Sequence, residues 1–107
     1  MPADPDVERP PAPILTGKQR KQLRGLAHAL EPVIHVGHAG VTYAVTRAID
    51  AALQTHELIK VRLHEPEDKK GASTALAQQT GAALCGLVGH TAILYRPRPE
   101  DPKIALA

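Results

Sequence analysis

The 107-residue chain has no tryptophan and no phenylalanine, and its only tyrosines are Tyr43 and Tyr95. Any core must therefore be filled with Leu, Ile, Val and Ala, in a domain small enough to bury only ~60–65% of its unfolded surface. The single cysteine, Cys85, excludes an internal disulfide framework and a Cys-cluster zinc site. No apolar run approaches the ~20 residues that span a bilayer. The N-terminus lacks the basic-then-apolar pattern of a secretory signal. These absences lead us to expect one soluble, cytoplasmic domain with no membrane partner.

Enzymatic signatures are missing as well. The six histidines (His28, His35, His38, His56, His64, His90) show no metal-ligand spacing. Cys85 sits in an apolar stretch suited to a buried, inert thiol. Glu65, Glu67 and Asp68 stand beside Lys69-Lys70 and read as a solvated loop and helix cap. The expectation is no catalytic residue, no metal, no cofactor and no small-molecule substrate.

Positive charge is present but unevenly placed. Residues 1–13 carry Asp4, Asp6 and Glu8 against Arg9, a net of −2, and hold five of the ten prolines. They read as a disordered Pro-rich tail. Residues 14–107 hold twelve Lys/Arg against eight Asp/Glu, a net of +4, with Lys18, Arg20, Lys21 and Arg24 preceding any acid. Clustered cations suit a polyanion, because neutralising phosphates releases counterions.

Periodicity predicts the order α-β-α-β-α-β-β. Thr16 and Gln19 fit a capping box opening a helix to about Leu30. Leu23, Leu26, Ala27 and Leu30 gather on one side of it, and Lys21, Arg24 and His28 on the other. Val33–Val36 form a short strand. A helix capped by Thr42 buries Val41, Val45, Ala48, Ile49, Ala52 and Leu53. Leu58–His64 alternate, with Ile59, Val61 and Leu63 covered and Lys60, Arg62 and His64 on an open basic face. A third helix runs from Lys69 to Thr80 before Gly81. Ala83–Val88 and Thr91–Tyr95 form a hairpin around Gly89-His90, and Arg96-Pro97-Arg98-Pro99 closes the ordered part. The fold class expected is α/β: a single compact domain over residues 14–107, with a four-stranded mixed sheet and three helices. Strand–helix–strand units imply parallel pairing, with the final hairpin adding one antiparallel strand.

Gly37-His38-Ala39-Gly40 lies between a strand and a helix, where glycines allow close backbone approach and free helix amides favour phosphate. Two glycines also suit an ordinary tight turn. Neither nucleotide fingerprint is completed: Val41-Thr42 stands where a Walker loop needs Lys-Ser/Thr, and Tyr43 where a Rossmann turn needs glycine. With two tyrosines, a base-stacking platform of the RRM or OB kind cannot be built. An RNA partner would have to be held through amides, Lys/Arg and shape, as a KH loop clamps a sugar–phosphate backbone.

The segments LTGKQRKQLRGLAHAL, PVIHVGHAGVT, HELIKVRL, TGA and GHTAILYRP, in that order, resemble the CRM domain family, and the stand-alone bacterial YhbY-like proteins in particular. The resemblance covers about residues 14–106. It implies a fold similar to the C-terminal domain of translation initiation factor three. It also implies RNA binding, with a role on ribosomal RNA in precursors of the large subunit and in their assembly. The family's loop carries over to Gly37, His38, Ala39 and Gly40, although relatives often have polar or basic residues where His38 and Ala39 stand. Its basic surface carries over to Lys18, Arg20, Lys21 and Arg24, with His28 beside them. Its hairpin ending carries over to Gly89 and Leu94-Tyr95-Arg96, which adds Arg96 to the RNA-binding candidates. A second reading is a protein-interaction module that binds a ribosomal protein or regulator, with RNA contact incidental.

Overall fold

The computed structural model describes residues 12–107. The Pro-rich tail expected over residues 1–13 lies outside the described residues except for Ala12 and Pro13. The elements are α1 (Gly17–Ala27), β1 (Ile34–Val36), α2 (Tyr43–His56), β2 (Leu58–Leu63), α3 (Lys69–Thr80), β3 (Ala83–Val88) and β4 (Thr91–Tyr95). The expected order and the four-stranded mixed sheet with three helices are present. Among the described residues, no helix is long and apolar enough to cross a membrane.

Side-chain capping fixes the helix starts. Thr16 Oγ1 accepts from the Gln19 amide at 3.1 Å, and Gln19 Oε1 accepts from the Thr16 amide at 2.9 Å. Thr42 accepts from Val45 N, and Asp68 from Gly71 N. Each oxygen satisfies an amide that the helix itself cannot. At its far end, α1 stops at Ala27, short of the expected Leu30. Its last turn tightens into His28 N–H to Gly25 O and Leu30 N–H to Ala27 O bonds. Pro32 then keeps Glu31 out of helical geometry, and Val33 N donates to Lys60 O as the chain enters the sheet.

The sheet order is β1-β2-β4-β3. β1 runs parallel to β2, with Ile34 opposite Val61, His35 opposite Arg62 and Val36 opposite Leu63. β4 lies antiparallel to both β2 and β3. The parallel neighbours expected of β2 and β3 are therefore separated. Gly89 alone in the two-residue hairpin loop has positive φ, at 59°, as a II′ turn requires. The hairpin folds β4 inward, between the two strands.

Two apolar layers sandwich the sheet. Under α2 and α3 lie Val36, Ile49, Leu53, Ile59, Val61, Leu63, Leu76 and Leu94. On the other face α1 sets Leu23 and Ala27 against Leu58, Cys85, Ile93 and Tyr95. Two details of the expected helix stripes fail. Ala48 is exposed, its place in the core taken by Thr46, whose hydroxyl donates to Thr42 O and meets Gln79 Oε1. Leu26 and Leu30 stay 47% and 38% exposed: within α1 only Leu23 and Ala27 are buried, and Leu30 lies beyond the helix end. The basic face of β2 is likewise only partly open. α1 covers Leu58, and Lys60 is half-buried with Nζ donating to Leu30 O at 3.0 Å, whereas Arg62 and His64 are exposed.

Order continues beyond Pro99. The last residues fold back on α1, with Ile104 and Leu106 against its apolar layer. Gln19 donates to Ala107 O, Gln22 donates to Ala105 O, and Ala107 N donates to Gln22 Oε1.

Candidate nucleic-acid interface

The loop Gly37–Gly40 leaves β1 at the end of the sheet shared by the C-terminus of β2 and the Gly89-His90 turn. Gly40 N donates to Gly37 O at 3.0 Å, closing a tight turn. Gly40 has φ +72°, a left-handed conformation that costs an L-residue roughly 1 kcal/mol or more. Gly37 has an ordinary φ, and a Cβ built on either glycine would meet nothing within 4 Å. The backbone surface of the loop is thus bare to solvent, just ahead of the N-terminus of α2, whose dipole favours an anion. His38 and Ala39 are exposed beside it.

A cleft of about 360 Å³ runs from Gly37, His38 and Gly40 past His64 to Glu65, Glu67 and Asp68. Its outer wall, the Glu65–Asp68 loop, is acidic, so a polyanion is repelled from that wall and admitted from the side of the sheet.

The α1 cations divide into two groups. Lys18 and Lys21 are exposed on the helix. Arg20 faces β3, lining a cleft with Lys70, Cys85 and Gly86. Arg24 lies along β3, where its guanidinium donates to Cys85 O at 3.1 Å. Cys85 is the extra residue of a bulge between Leu84 and Gly86, which leaves its carbonyl for the arginine. Gly86 makes room for this path, since a Cβ there would stand 2.8 Å from Arg24 Cδ. The remaining guanidinium N–H groups stay available. They border a cleft of about 440 Å³ with His28, Lys60, Val88 and Thr91, in which Glu31 is the only acid. The stripe of Lys21, Arg24 and His28 is therefore anchored to the sheet by its middle member.

Arg96, expected among the RNA contacts, is buried away from the surface. It is 6% exposed, with Nη1 donating to Asp50 Oδ1 at 2.8 Å and to Thr80 O at 2.6 Å, and Nη2 to Asp50 O at 3.1 Å. Every bond ties the end of β4 to α2 and α3, and burial keeps the guanidinium from a surface phosphate.

Cys85 is buried, as its neighbours in the sequence imply. Burial pushes its thiol up to about 11, against the opposing pull of Arg20 and Arg24, so it is a poor nucleophile at neutral pH. Among the described residues no group of three or more His, Cys, Asp or Glu is placed to hold a metal.

Two features escaped the sequence reading. His35 Nδ1 and His64 Nε2 are 3.0 Å apart. The 5.2 Å between ring centroids and the 23° between planes lay the imidazoles nearly coplanar, end to end along that hydrogen bond. The period of two in both strands was the available signal, once β1 was paired with β2. The second is the bulge at Cys85, which Gly86 inside a strand pattern marks.

A family model described as the CRS1 / YhbY (CRM) domain matches residues 15–96. The chain belongs to this family. A Haemophilus influenzae protein named "RNA-binding protein" is 43% identical over 94 residues, covering 86% of this chain and 94% of its own. "Probable RNA-binding protein YqeI" of Bacillus subtilis is 38% identical over 95 residues, or 87% and 99% of the two chains. The solution structure of a hypothetical protein from Staphylococcus aureus superposes with a TM-score of 0.77 at 34% identity, covering 88% of this chain and all of that one. The CRM match takes in α1, the glycine loop and all four strands, so each element of the candidate interface lies within it.

Proposed function

We propose that this CRM-family chain is a non-enzymatic RNA-binding protein that holds the RNA backbone through the loop Gly37–Gly40 and the cations Lys18, Arg20, Lys21, Arg24 and His28 of the α1 segment. In this reading its RNA is ribosomal, within cytoplasmic precursors of the large subunit whose assembly it assists. The observation that carries the reading is the bare turn with left-handed Gly40 at the start of α2, in a family whose curated relatives carry RNA-binding names.

The loop is tested by Ala39→Asp, which sets a carboxylate beside the phosphate path without entering the core. Binding to a large-subunit rRNA fragment at fixed salt is expected to fall about tenfold or more, with thermal unfolding unchanged. Gly37→Ala separates close approach from charge. Its Cβ has open space and an ordinary φ, so a loss of affinity in a protein of parental stability points to backbone contact. Parental binding by folded Ala39→Asp would remove the loop from the site. Crosslinking in cells with sequencing of the captured RNA tests the ribosomal assignment.

A second reading rests on a different surface. Leu26, Leu30 and Val33 are exposed around an apolar cleft of about 460 Å³ that also takes in Leu58, Ile59 and Ile104. Such a patch suits a protein partner, such as a ribosomal protein. An association that survives RNase treatment supports that reading.

A further inference from the structure

We propose that single-stranded RNA crosses the uncovered half of the sheet, from the glycine loop to α1, with Arg62 and the His35–His64 pair as its contacts. The inference rests on the RNA-binding reading above and adds residues that neither the loop nor the helix supplies.

Lys60 and Arg62 of β2 and His64 just past its end alternate along one face, so they are spaced over roughly 13 Å. The first lines the cleft beside Arg24 and His28. The last lines the cleft beside Gly37, His38 and Gly40. Arg62 stands between them, exposed, with His35 opposite it on β1. On the α1 face a guanidinium and two imidazoles lead from the first cleft to the end of the sheet, where the second cleft opens beside Val36 and Leu63 of the opposite layer. Neither β1 nor β2 carries an acid between the two clefts. Among the described residues that line the two clefts, the acids stand at the borders: Glu31 at the α1 end, and Glu65, Glu67 and Asp68 on the far wall of the loop cleft. That arrangement repels a polyanion from the Glu65–Asp68 loop and leaves the sheet as the route between the cation groups.

The chemistry suits a single strand better than a duplex. The absence of Phe and Trp removed the usual stacking platform, but imidazole rings and guanidinium planes also accept bases. The end-to-end hydrogen bond holds the two exposed imidazoles in one plane, and Arg62 presents a planar cation beside them. Phosphates meet Arg62, Arg24 and His28, and bases meet the His35–His64 plane.

The test is Arg62→Gln, which keeps most of the stem and removes the charge, assayed on a single-stranded large-subunit rRNA fragment over a range of salt. The control is Lys103→Ala, the same charge loss at the opposite end of β2, where the Lys103 backbone bonds Glu57. Arg62→Gln is expected to weaken binding about tenfold at low salt and to reduce the log–log salt slope by about 0.7, while Lys103→Ala leaves both near parental values. His35→Ala is expected to lose affinity for the fragment but not for an abasic strand of equal length. Parental affinity and slope in folded Arg62→Gln, with Ala39→Asp impaired, would overturn the sheet route and leave the loop reading standing. Parental binding by both variants would overturn the two together.

Discussion

Arg96 and Asp50 show how the same side-chain types serve different ends at different depths. The Arg96–Asp50 ion pair is buried, with side chains 7% and 14% exposed, and the guanidinium also holds two backbone carbonyls. Removing one partner strands a charge in low dielectric. Asp50→Ala is expected to cost about 3–5 kcal/mol in chemical denaturation, with RNA affinity retained by the molecules that remain folded. A loss of binding without a loss of stability would return Arg96 to the interface. Cys85 gives a pH signature. Its thiol is raised from 9.0 to about 11 by burial, so the unfolded chain ionises first as pH rises. Its contribution is complete below pH ~9 and is lost between ~9 and ~11. Cys85→Ala should flatten the stability–pH curve in that window, whereas Tyr95, also raised by burial, continues to contribute in both proteins. Parallel curves would contradict the assignment.

At the scale of elements, local signals located what local chemistry determines. The Thr16–Gln19 box, the Thr42 cap, the α3 limits and the Gly89-His90 turn were legible because each depends on residues within four positions. Strand order was not, since placing β4 between β2 and β3 is a long-range choice that periodicity cannot express. Nor was the C-terminal segment, whose Pro-rich start reads as an end. It is held by Glu57, which is 1% exposed; the carboxylate accepts from Arg98 N at 3.0 Å and Lys103 N at 2.6 Å. Ile104 and Leu106 then cover the apolar side of α1. Ile104→Asp is expected to cost about 1–2 kcal/mol from lost apolar burial and to speed hydrogen exchange in α1 more than in α2. Uniform exchange across both helices would show that the segment does not brace α1 in particular. For the candidate site, the loop and most of the α1 cations could be read directly. Arg96 could not be judged, because an arginine following a strand looks the same whether it faces solvent or a buried aspartate.

Across the whole molecule, the turn at Glu57 has a mechanical consequence. A single residue with φ 64° joins α2 to β2. Its own amide bonds Leu53 O and its carbonyl bonds Arg96 N, while Arg96 grips Asp50 on the same helix. The glycine loop stands at one end of α2, and Arg62 stands on the strand that follows the other end. With no slack in the connection, the loop and the sheet floor move as one bracket instead of two independent fingers. A partner then meets a fixed spacing between its anchoring points. In the proposed complex the ordering cost of association falls on the RNA strand, which has to adopt the shape of the protein.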